Sequence, residues 1–155
     1  ALAMSLIVKY PDREEIIPSL IDLAAEELAH FRQVYRLMEQ RGLQLVKDEP
    51  DPYVNQLLAC MRHGREPRFL DRLLVSSIIE CRGAERFRLI ANALEDAQLR
   101  RFYLELTGAE TKHGHIFVDL ASRYYDDQVI YARLEELAAQ EADIIINLAW
   151  RASLH

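Results

Sequence analysis

Two short stretches carry the residues that could do chemistry. In "AAEELAH" Glu27 and His30 stand three residues apart, and in "GAETKHGH" Glu110 and His113 repeat the arrangement. Side chains at i and i+3 share one side of a helix, so each carboxylate and imidazole pair could bind one metal ion. A single pair is weak, since about half an E-x-x-H match is expected by chance in a chain of this composition. Either pair alone reads better as a solvated surface pair than as a ligand pair, and His113 or His115 as an ordinary helix-face residue. Glu80 changes the weighing. It precedes Glu110 by about thirty residues, which at about 1.5 Å per residue lets the chain rise along one helix, turn and return to a similar height. All five groups can then converge at one level.

That set is what a carboxylate-bridged dinuclear site in a four-helix bundle requires: one Glu from each of two helices and Glu-x-x-His from each of the other two. Carboxylates are hard ligands that bridge two cations about 3.5–4 Å apart, and one imidazole per metal leaves positions open for dioxygen. Several acids on core stripes make sense when cations neutralise them, because a lone buried carboxylate is costly. Glu85, five residues beyond Glu80, is turned away and reads as a salt-bridge residue or as support behind the ligands. Glu26 faces sideways. The second lone Glu is missing, for no acid precedes Asp12. Counting about thirty residues back from Glu27 lands just upstream of Ala1. The expectation is a Glu a few residues before residue 1, with the chain lacking the start of its first helix.

The elements that must position these groups are helices. Half of the 155 residues are hydrophobic, with only five Gly and five Pro, and Leu, Ala, Glu and Arg recur as in helical proteins. One all-α domain over residues 1–155 is expected. A first helix, Ala1 to Lys9, ends at Pro11; a second runs from about Arg13 to Arg41 with Leu20, Leu23, Glu27, His30, Phe31 and Val34 on its buried stripe. Pro18 either kinks that helix or marks its true start, and Gly42 ends it. After a connector, a short helix spans about Tyr53 to His63. Long helices follow from Pro67 to Leu94, with Cys81 on the stripe that Glu80 borders, and from Glu95 to Tyr124. A final one runs from Asp127 to about Trp150.

The formal net charge of −6 provides no global basic field of the kind that marks nucleic-acid-binding domains. Two cysteines, Cys60 and Cys81, far apart and in no C-x-x-C pair, argue against a disulfide scaffold or zinc finger. No apolar run reaches the roughly 18 residues of a membrane span, and no leader is evident. The reading is a cytoplasmic protein without a membrane partner.

The strings "EELAHFRQVYRLMEQRG", "IIECRGAERF" and "RFYLELTGAETKHGHIF" resemble the ferritin-like tRNA hydroxylase family that acts on 2-methylthio-N6-isopentenyladenosine beside the anticodon. The resemblance implies a ferritin-like four-helix bundle with additional short and C-terminal helices. It implies a non-haem di-iron monooxygenase in which dioxygen is activated at two iron ions and one oxygen atom enters a C–H bond of the isopentenyl group. By position, Glu27, His30, Glu80, Glu110 and His113 are its iron ligands. An external electron donor, and hence a reductase partner, is implied but not identified. With tRNA as the implied substrate, the basic run of Arg62, His63, Arg65, Arg68 and Arg72, continued by Arg82, Arg86 and Arg88, acquires a role. Arg62, Arg65 and Arg68 are the candidates for phosphate contact, since a guanidinium donates in pairs. Without the family, basic helix faces offset by many acids read as solvated.

Two further readings compete. One is an iron-binding or peroxide-handling protein of ferritin or rubrerythrin type, although the C-x-x-C pairs of a fused rubredoxin domain are absent. The other is a metal-free helical interaction module with a buried polar network. Metal content separates the last from the other two, and tRNA-dependent turnover separates the first two.

Overall fold

The structure, a computed structural model, describes residues 2–149. It is all-α, with no strand among the described residues. The chain divides after Pro50 into two compact units.

In the first unit, α1 (Leu2–Lys9) buries Ala3 and Leu6. The Tyr10 N–H closes its last turn on the Leu6 carbonyl at 2.9 Å, and Pro11 stops it. A 3-10 turn, Glu14–Ile16, leads into α2 (Ile17–Gln40), with Pro18 in its first turn. Pro18 therefore marks a start, where a missing N–H costs nothing, and there is no kink. The expected stripe of α2 is buried at Leu20 and Leu23 but not beyond. Phe31 and Val34 are 52% and 37% exposed. Within this unit the reason is length: the 8 residues of α1 against the 24 of α2 cover only about 12 Å of about 36 Å. At the far end Gly42, with φ +68°, gives its N–H to the Glu39 carbonyl at 3.0 Å, and Leu43 gives its own to Met38 at 2.9 Å. This paired-bond closure uses glycine's tolerance of the left-handed region.

The second unit starts with α3 (Pro52–Ala59), where the Asp51 carboxylate accepts from the N–H groups of Tyr53 and Val54 at 2.7 and 3.3 Å. Then come α4 (Arg65–Ala93), α5 (Ala97–Ala121) and α6 (Asp127–Asn147). Asp96 caps α5 through Gln98 and Leu99 at 2.8 and 3.1 Å, so that helix begins two residues later than the expected Glu95. The expected end of the last helix at Trp150 lies outside the described residues, as does Ala1. With only three residues between them, α4 and α5 form a helical hairpin, and it supplies the unit's main packing. Phe69, Leu70, Leu73 and Leu74 of α4 are buried with Phe117, Leu120 and Ala121 of α5 and Ile130 and Leu137 of α6. Burial of each large apolar side chain contributes about 1.5–3 kcal/mol.

Candidate metal centre

The α4–α5 hairpin brings three of the expected ligands together. Glu80 lies on α4, Glu110 and His113 on α5, and one ligand atom from each lies within 4.8 Å of the others. His113 is fully buried and Glu110 is 9% exposed. His113 Nδ1 stands 3.8 Å from Glu110 Oε2, and that nitrogen is shielded from solvent. Bringing the half-buried Glu80 carboxylate against the buried Glu110 carboxylate is unfavourable unless cations or strong donors compensate. Two hard oxygen donors and one imidazole suit a divalent metal such as iron. The residues present therefore fit a metal of that kind.

The first unit holds the other pair on α2. Glu27 Oε1 and His30 Nδ1 are also 3.8 Å apart, with side chains 35% and 20% exposed. The same i, i+3 geometry thus occurs twice, sealed in the second unit and more open in the first.

Behind the Glu80 segment lies a polar cluster that the sequence did not reveal. Arg82 donates to both carboxylate oxygens of Glu141 on α6, Nε to Oε1 and Nη2 to Oε2, each at 2.8 Å. The Tyr53 hydroxyl donates to the same Oε1 at 2.9 Å, and the Arg86 guanidinium lies 4.7 Å over the Tyr53 ring. Burial, followed by the Glu141 charge, pushes the Tyr53 hydroxyl well above its ordinary value. The Glu141 hydrogen bonds hold Arg82 protonated against the opposing effect of burial. Glu85 pairs with Arg82, as a salt-bridge residue. Cys81, expected on the buried stripe, is exposed. Its thiol is nevertheless pushed up, by partial burial first and by Glu80, with a Ser77 hydrogen bond opposing.

Of the three arginines expected to face RNA, Arg62 is engaged elsewhere. Its Nε and Nη2 and its backbone N–H all donate to Asp71, at 2.7–3.2 Å. Arg133 of α6 grips the same carboxylate at 3.0 and 2.9 Å and reaches the Cys60 carbonyl at 3.0 Å. Burial alone would raise the Asp71 carboxyl, but the hydrogen bonds from Arg133 and Arg62 outweigh it and hold the group below its ordinary value. Arg65 and Arg68 open α4, exposed and half-buried respectively. Asp71, Arg133, Tyr53 and Glu141 were missed as partners. The available signal was an acid on an apolar stripe, as at Glu141, with a partner too distant in sequence to name.

The family model for tRNA-(MS[2]IO[6]A)-hydroxylase (MiaE) matches residues 1–155, the whole chain. The chain belongs to this tRNA hydroxylase family. The hydroxylase family is one of enzymes, and tRNA hydroxylation, with tRNA as substrate, is the function that membership carries. The chain is 36% identical over 143 residues to the tRNA 2-(methylsulfanyl)-N(6)-isopentenyladenosine(37) hydroxylase of Pseudomonas putida, covering 92% of this chain and 69% of that protein. It is 32% identical over 137 residues to the hydroxylase of the same description from Salmonella typhimurium, covering 88% of this chain. This member of the hydroxylase family spans 50% of the Salmonella relative's length. Among solved structures it is similar to a Synechococcus protein described as having aldehyde deformylating oxygenase activity. The TM-score is 0.90 at 32% identity, over 99% of this chain and 75% of that one. The fold class is the ferritin-like, all-helical one, as the resemblance implied. No helix among the described residues is long and apolar enough to cross a membrane.

Proposed function

We propose that the chain hydroxylates the isopentenyl group of 2-methylthio-N6-isopentenyladenosine in tRNA, using dioxygen and a pair of non-haem iron ions. The observation that carries this reading is the group of half-buried Glu80 with buried Glu110 and His113, with donors within 4.8 Å, in a chain of the hydroxylase family. Glu27 and His30 add the second Glu-x-x-His pair to the ligands in this proposal, of the two pairs that such a four-helix bundle offers. When bound there, the iron pair supplies the activation of dioxygen: one oxygen atom enters a C–H bond and the other leaves as water, with two electrons from an external donor and two protons.

The chain's own residues do the rest. Glu80 and Glu110 neutralise cationic charge, while the buried His113 ring keeps bulk water from its side of the centre. Arg65 and Arg68, at the start of α4, contact tRNA phosphates. A reductase that supplies the electrons and a cytoplasmic setting follow from the same proposal.

Iron content after anaerobic ferrous loading tests it, followed by turnover of isopentenylated tRNA. Two irons per chain, lost in Glu110→Ala and His30→Ala, and hydroxylated nucleoside formed only with tRNA, oxygen and a reductant, support the reading. A folded protein that takes up no iron overturns it.

A further inference from the structure

Gly114 follows His113 on α5 and is buried. Among the described residues only Gly42 and Gly64 take positive φ, so Gly114 sits in ordinary helical backbone, where glycine costs about 1 kcal/mol relative to alanine. Its missing side chain is what the packing uses. A Cβ at Gly114 would lie 2.5 Å from Cys81 Sγ, far inside contact distance, with the Ser77 carbonyl oxygen at 3.4 Å and the Cys81 nitrogen at 3.5 Å as its next neighbours. The two other helical glycines of the hairpin differ: a Cβ at Gly83 or Gly108 would meet nothing within 4 Å. Cys81 follows Glu80 as Gly114 follows His113. The tight contact between α4 and α5 therefore falls beside a candidate ligand on each helix.

We propose that Gly114 is a positioning residue for the metal centre. By seating α5 directly against Cys81, it sets the separation at which Glu80 on α4 reaches Glu110 and His113 on α5. The proposal rests on the metal-binding reading above and concerns the three ligands of the hairpin. A methyl group at position 114 must move either the sulfur or the helix. Moving the helix carries His113 and Glu110 away from Glu80, and ligand sets tolerate displacements of that size poorly.

The test uses the full chain titrated with Co(II), whose visible absorption reports ligand geometry as well as affinity. Gly114→Ala should weaken Co(II) binding about tenfold or more and alter the spectrum. Cys81→Ala and Gly108→Ala should bind as the parent does. In Gly114→Ala combined with Cys81→Ala the sulfur is gone and the added Cβ has no other neighbour nearer than 3.4 Å, so parental affinity and spectrum should return. Unaltered Co(II) binding by Gly114→Ala overturns the proposal, as does a double variant that remains defective. Should the single variant fail to fold, the double variant decides: folded and binding supports the proposal, unfolded overturns it. A parent chain that binds no Co(II) overturns the metal-binding reading itself, and this result is distinct from the others.

Discussion

At Asp71 one buried carboxylate is held by two guanidinium groups, Arg62 from the turn before α4 and Arg133 from α6. Removing the charge while keeping the shape, as in Asp71→Asn, leaves the 7%-exposed Arg133 with the exposed Glu136 carboxylate, 2.8 Å from its Nη1, as its remaining ion pair. Weakening these charged hydrogen bonds costs about 1–3 kcal/mol, and the urea midpoint should fall accordingly. The pH dependence has a defined sign. Because the folded-state pKa of Asp71 is depressed, its contribution is fully present above the unfolded aspartate value of about 3.9 and is lost as pH falls through the lower folded value. Urea midpoints of the parent between pH 5 and 2.5 should therefore drop more steeply than those of Asp71→Asn; equal slopes would remove Asp71 from the account. The contrast with the candidate ligands explains what the sequence disclosed. Glu110 and His113 are three residues apart and helical periodicity alone puts them together. Asp71 and Arg133 are separated by 62 positions, and Arg82 and Glu141 by 59, so only the packed fold pairs them. Arg62 and Arg82 consequently read as members of a basic run when each is bonded to a buried acid.

Among the elements, helix ends were legible only in part: α2 starts at Ile17 rather than about Arg13, α4 at Arg65 rather than Pro67, and α3 stops at Ala59 rather than about His63. Gly42 closes α2 and Pro18 opens it, while Asp96 shifted the start of α5 because its side chain caps from an extended backbone. Gly42→Ala should cost about 1–2 kcal/mol, the strain of a Cβ in the left-handed region, since nothing within 4 Å of the added carbon offers a packing gain. A thermal midpoint unchanged within error would show that the helix end had shifted to relieve the strain. How far along α2 burial extends was not legible, because spacing marks the apolar face but not the reach of what covers it; Phe31 and Val34 illustrate the difference. The start of α4 carries a functional expectation under the proposed tRNA activity. Arg65→Ala and Arg68→Ala should weaken tRNA binding, each reducing the slope of log affinity against log salt by about 1. Unchanged slopes would move the phosphate-binding face away from α4.

For the whole molecule, the proposed function assigns the two units a single shared task. If the α2 pair joins the α4–α5 ligands in holding metal, loading stabilises the entire chain by linkage, because metal bound to the folded state alone pulls the equilibrium toward it. At a free metal concentration about 1,000 times Kd the gain is about 4 kcal/mol, a rise of roughly 10 °C in the thermal midpoint for a chain of this size. Glu27→Ala is the discriminating variant, since a side chain 35% exposed is removable at a cost within about 0.5 kcal/mol of the metal-free protein's stability. Its metal-free midpoint should match the parent's while most of the metal-induced rise disappears. A full rise in Glu27→Ala would confine metal binding to Glu80, Glu110 and His113, and α2 would then contribute structure to the fold but no ligand to the metal centre.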